Sequence, residues 1–156
     1  MMKINLNKPI ALLIAIAFIT ISGFSFAEGV QTSAQQTKSQ PIKYEGQSTK
    51  FAMMVGDVTH FKAALLTAEQ LQEAHQKFTI EIVMVGELVK AISKDKTLLV
   101  DINNAEKLGV KLNACAVAMA AFKVSKDKLD PRIVTVRNGW IHMFELKDKG
   151  FNTVNS

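Results

Sequence analysis

Cys115 is the only cysteine in this 156-residue chain, and its surroundings give it a chemical reading. It follows a short apolar run at residues 110–113 and stands near the start of an Ala- and Met-rich stretch, residues 114–123. A strand ending there and a helix starting there would set a thiol at the carboxyl edge of a sheet and at the positive end of a helix. Free backbone N–H groups and the helix dipole favour a thiolate in such a place. A thiolate is the form that attacks sulfur or carries a persulfide. The neighbours Ala114, Ala116, Val117 and Ala118 also admit a plainer reading, because free cysteine is among the most buried residue types. An inert core thiol therefore stands beside a reactive one.

The elements that must position this residue follow from periodicity. Residues 50–55 and 78–85 are nearly unbroken apolar runs, each closed by glycine (Gly56, Gly86), which suits strands buried on both faces. Between them Phe61, Ala64, Leu65, Ala68 and Leu71 recur at helical spacing, with Asp57 or Thr59 as the cap and an end near residues 75–77. Residues 88–92 read as one short helical turn and 98–108 as a helix closed by Gly109. Strand 110–113, helix 114–123, a turn at 126–129, strand 133–136 and a helix from Trp140 to about Gly150 follow, with 151–154 as an edge strand. The alternation predicts an α/β fold: a three-layer sandwich with a mainly parallel sheet of about five strands and helices on both faces.

In open parallel sheets, sites form outside the carboxyl ends of the strands. That rule gathers Asp57 and His60 after the first strand, Glu87 after the second, Cys115 after the third, and Arg137 with Asn138 after the fourth. Cys115 is the candidate catalytic residue, and His60, Arg137, Asn138, Asp57 and Glu87 are candidate supporting residues. His75 reads as a helix-end residue and His142 as a surface or half-buried residue of the last helix. Three histidines and one cysteine without ligand spacing predict no metal site, and no cofactor-binding motif is present: there is no Walker A loop, no Gly-x-Gly-x-x-Gly and no Gly-x-Ser-x-Gly. A single cysteine also rules out an internal dithiol cycle.

The first 27 residues read as a signal peptide, with Lys3 and Lys8, an apolar stretch at 10–21, and Ser25-Phe26-Ala27 as the cleavage site. Residues 28–48, rich in Gln, Ser, Thr and Lys, read as a flexible leader, and residues 49–156 as one domain. The expectation is an exported protein, periplasmic or secreted, with no stable membrane insertion after cleavage. The formal charge of +5 is spread among acids, as in Lys94-Asp95-Lys96, which argues against nucleic-acid binding.

Three stretches carry a family resemblance. Residues 83–92, Val-Met-Val-Gly-Glu-Leu-Val-Lys-Ala-Ile, are similar to a strand-Gly-x-x-Val turn, and residues 108–115 to a Leu-x-x-x-Gly-Val-x-Phe-x-x-Cys segment. Leu129-Asp130-Pro131, then residues 134–140 and 146–151, are similar to a closing strand, glycine, helix and Gly-Tyr ending. In this order they resemble the DsrE/DsrF-like family of small sulfur-relay proteins across nearly all of the domain. The resemblance implies a homo-oligomer, a trimer or hexamer, and a sulfurtransferase-type persulfide carrier that takes sulfane sulfur on the residue matching Cys115. Its partners would be sulfur donor and acceptor proteins or small thiols. The alternative is a non-catalytic subunit of the same fold that binds a small ligand or serves assembly.

Overall fold

Apolar runs flanked by glycine become the central strands. In the computed structural model, which describes residues 44–73 and 77–156, β1 (Lys50–Val55), β2 (Thr79–Met84) and β3 (Lys111–Cys115) are each exposed at their first residue and buried over their last four or five. Such strands need cover on both faces. The helices between them are α1 (Val58–Glu73), α2 (Gly86–Lys94), α3 (Leu99–Lys107) and α4 (Ala116–Ala121). The chain then forms β4 (Val134–Val136), α5 (Gly139–Asp148) and β5 (Asn152–Asn155). The signal peptide, residues 28–43 of the leader and His75 lie outside the described residues.

The sheet has five strands in the order β4-β3-β2-β1-β5, and every pairing is parallel. Alternate residues face opposite layers. Met53, Val55, Ile80, Ile82, Met84, Leu112 and Ala114 meet the apolar sides of α1 to α4, including Phe61, Leu65, Leu88 and Ile102. Ala52, Met54 and Val83 meet Met143 and Leu146 of α5, with Phe151 beyond it. The α/β three-layer sandwich expected from the alternation is thus the observed architecture. Three successive steps in one direction, β1 to β2 to β3 to β4, put α1 to α4 on one face. The long return from β4 to β5 puts α5 alone on the other, as a constant crossover hand requires.

Local chemistry explains the ends. Gly109 follows α3 with φ +67°, and the N–H groups of Gly109 and Val110 donate to the carbonyls of Glu106 and Ala105. Gly150 closes α5 in the same way at φ +83°, with Gly150 and Phe151 donating to Lys147 and Leu146. Both are Schellman closures, which need a left-handed residue that glycine supplies without strain. Several boundaries differ from the sequence reading. β3 runs on to Cys115, two residues past the expected end, so α4 starts only at Ala116. The turn at 88–92 is a nine-residue helix, because Gly86 and Glu87 join it and the packing of Leu88, Val89 and Ile92 holds it. Tyr44, assigned to the leader, stacks edge-on against Phe51 and Phe78 at 5.3 and 5.9 Å between ring centres. Aromatic packing of this kind offsets the polar composition around it.

The entry to β4 is stapled by Arg132. Its Nε and Nη2 donate to Asp130 at 2.8 Å each, and Nη1 reaches Glu106 at the end of α3. The Arg132 guanidinium holds the Asp130 carboxyl below its ordinary value, and the Arg132 backbone N–H adds to this. A folded-state value below the unfolded one contributes stability above the unfolded pKa, and that contribution is lost as pH falls through the folded value. Asp130→Asn is therefore expected to destabilise the protein at pH 7, by an amount that shrinks as pH falls below about 4. Urea midpoints of both proteins at pH 7 and pH 3 check this; an equal difference at both would refute it.

Candidate functional site

The connections after β3 and β4 leave the sheet on opposite sides. From β3 the chain turns to α4 on the four-helix face, whereas from β4 it turns to α5 on the other. Adjacent parallel strands whose connections diverge leave a crevice at their carboxyl ends, and this is where α/β sheets place their sites. Cys115, the last residue of β3, borders that crevice. Its register partner is Val136, the last residue of β4, and Arg137 and Asn138 come next.

The thiol is buried, at 4% exposure. Its Sγ accepts a hydrogen bond from the backbone N–H of Gly139 at 3.1 Å. The sequence reading gave that task to the helix starting at Cys115 itself. The donor comes instead from the first turn of α5: Cys115 ends β3 and packs in the cluster that holds Ala118 and Met119 of α4, while its Sγ meets the Gly139 N–H. Gly139 permits the approach. A Cβ there would lie 2.8 Å from Val85 Cγ1 and 3.4 Å from Cys115 Cβ and Val83 Cγ1. Asn138 caps the same helix, its Oδ1 accepting from the N–H groups of Trp140 at 2.9 Å and Ile141 at 3.4 Å. This is an ordinary N-cap arrangement, and it frees the Gly139 N–H to point at sulfur.

Beside the thiol runs an open groove of about 450 Å³. Val117, Val136 and Ile141 form its apolar walls, and Arg137, His142 and Glu145 its polar lining. Arg137 is exposed and makes no ion pair among the described residues. His142 stands between two carboxylates, with Nε2 3.4 Å from Glu81 and Nδ1 3.4 Å from Glu145.

Beneath His142 lies a polar set that the sequence reading passed over. Glu81, 8% exposed in β2, accepts from Asn113 Nδ2 at 2.9 Å and faces Lys111 Nζ at 3.4 Å. Asn113 is fully buried in β3, and its Oδ1 has no hydrogen-bond partner. A signal was present: Glu81 lies between Ile80 and Ile82, and Asn113 between Leu112 and Ala114, each a polar residue inside an apolar strand. Such a residue must find a partner across the sheet, and a buried group left unpaired costs about 1–3 kcal/mol.

The remaining candidates stand apart from Cys115. Asp57 caps α1, its Oδ1 accepting from the His60 N–H at 2.9 Å, while Oδ2 meets His60 Nδ1 at 2.6 Å. The His60 backbone N–H, then its ring, hold the Asp57 carboxyl below its ordinary value. Both side chains are half exposed. Glu87 is exposed in the first turn of α2. Among the described residues, no hydrogen bond or ion pair joins these three to the thiol. The expected crowding of all six residues thus divides into a Cys115–Arg137–Asn138 group at the crevice and a separate Asp57–His60 pair. No group of three or more His, Cys, Asp or Glu among the described residues is placed to hold a metal ion. No described helix is long and apolar enough to cross a membrane.

Fold and site together define an α/β sandwich with a buried thiol at the divergence point of its sheet. No protein-family model matches the chain, and no curated protein matches it. Among solved structures it is similar to MTH1491 from Methanobacterium thermoautotrophicum, a protein described as being of unknown function. The match has a TM-score of 0.60 at 18% identity and covers 70% of this chain and 100% of that one. This likeness shows the fold.

Proposed function

We propose that this is an exported sulfur-relay protein of the DsrE/DsrF-like kind, which carries sulfane sulfur as a persulfide on Cys115. The observation that carries the reading is the Gly139 N–H aimed at Cys115 Sγ at 3.1 Å, at the point where the sheet's connections diverge. An N–H directed at sulfur is placed to donate to the negative charge of a persulfide held there. In the forward step the Cys115 thiolate attacks the outer sulfur of a donor persulfide. The new S–S bond forms as the donor's breaks, and the donor leaves as a thiolate. An acceptor thiolate then takes the outer sulfur and returns Cys115 to its starting state, so sulfur moves without net oxidation. Arg137, beside the crevice, would attract an anionic donor.

The apolar residues Trp140 and Phe144 of α5, both more than half exposed, together with Val134, support a homo-oligomer, and the resemblance implies a trimer or hexamer. The burial of Cys115 also favours a second reading: a non-catalytic subunit that uses this face for assembly or for a small ligand.

Intact mass spectrometry of the mature protein after polysulfide exposure separates the two. The relay predicts a reducible gain of about 32 Da, one sulfur atom, that is absent in Cys115→Ala. No adduct, together with no alkylation of the native thiol, would leave the assembly subunit as the reading.

A further inference from the structure

The groove beside Cys115 has features that the persulfide reading does not use. Its volume of about 450 Å³ falls within the range of small-ligand sites. Its charges are opposite and separated. Arg137 precedes α5, whereas Glu145 lies six residues beyond Gly139, an advance of roughly 9 Å along the helix. Val117, Val136 and Ile141 make the wall between them apolar. His142 forms the polar centre, tied at Nε2 to a buried carboxylate, Glu81. Behind Glu81, the Oδ1 of the wholly buried Asn113 lacks a partner. This buried set holds His142 in place at the groove.

A ligand matching this pattern carries a carboxylate and an ammonium several ångströms apart, with an apolar group between them. A single α-amino acid holds its two charges too close together. Three extended residues span roughly 10 Å, close to the helix rise of about 9 Å between Gly139 and Glu145. We propose that the groove binds a short peptide of about three residues. The peptide's carboxylate lies on Arg137, its terminal ammonium at Glu145, and its middle side chain against Val117, Val136 and Ile141. A guanidinium suits a carboxylate through paired N–H donors. The peptide needs no thiol, so the inference goes beyond the chemistry assigned to Cys115 and does not depend on it.

The test is a titration of the mature protein with Ala-Leu-Ala. Trp140, the only tryptophan, sits beside Ile141 on α5 and reports through its fluorescence. Two-dimensional NMR of the groove amides gives a second readout. The expected result is a saturable change, weakened at least about tenfold by N-acetylation, by C-terminal amidation and by Arg137→Gln, the loss of one charge-assisted contact. Arg137 is exposed, so the variant should melt with the wild type. No saturable change would overturn the proposal. So would equal binding of the blocked peptides, or a fluorescence change that tracks protein concentration alone, which would mean that a second copy covers the groove. A thiol-free probe keeps these outcomes separate from the persulfide assay.

Discussion

Gly139→Val is expected to disturb the fold and the thiol together. A Cβ at this position already falls 2.8 Å from Val85 Cγ1, inside any normal carbon contact, and 3.4 Å from Val83 Cγ1 and Cys115 Cβ. Valine side chains are stiff at χ1 and cannot swing aside. The start of α5 must therefore lift from the sheet, at a cost typical of overpacking, about 1–3 kcal/mol. The same displacement lengthens the 3.1 Å bond from the Gly139 N–H to Cys115 Sγ. Urea unfolding should show the loss of stability. Thiol alkylation should become faster as cover over Cys115 is removed, while formation of a stable persulfide falls. A variant with wild-type stability and wild-type alkylation would show that α5 does not press on the thiol. Asn138, which caps the same turn, is the control position, since its loss removes a cap without adding volume.

Phe61→Ala should have the largest effect on stability. Phe61 is fully buried in the first turn of α1, at the centre of the larger core, and is anchored by the turn that Asp57 caps. Truncating a buried phenylalanine removes its transfer free energy and leaves a cavity that the packed neighbours fill only in part, a loss of about 3–5 kcal/mol. A domain of this size has roughly 5–15 kcal/mol in all, so the variant is expected to populate unfolded forms at moderate temperature. Thermal and urea unfolding would measure it, and a loss below about 1 kcal/mol would mean that this part of the core repacks freely.

Much of the architecture was legible in the chain, for reasons that differ by element. The strands at residues 50–55 and 78–85 stood out because a strand covered on both faces must be apolar throughout, and glycines at 56 and 86 marked where each stops. Gly109 and Gly150 marked helix ends because few other residues tolerate the left-handed closure they adopt. The extent of α2 was not legible. Its start at Gly86 is held by contact with the neighbouring β1 turn, where the Leu88 N–H donates to the Gly56 carbonyl, and local propensity carries no record of that bond.

For the site, the chain by itself determined which residues stand at which strand ends. Alternating strands and helices require a parallel sheet, and the parallel sheet sends Cys115, Arg137 and Asn138 to one edge with Asp57, His60 and Glu87. Only the tertiary structure decided which of them meet. Strand order and crossover hand set α5 alone on one face, so the donor to Cys115 is Gly139, 24 residues away, and not the helix that follows the cysteine. The same strand order brings Glu81, Asn113 and His142 into one hydrogen-bonded set across 61 residues of sequence. Pairings of this kind depend on register between strands and on the face each side chain takes. Those are properties of the assembled sheet, and no local run of residues encodes them.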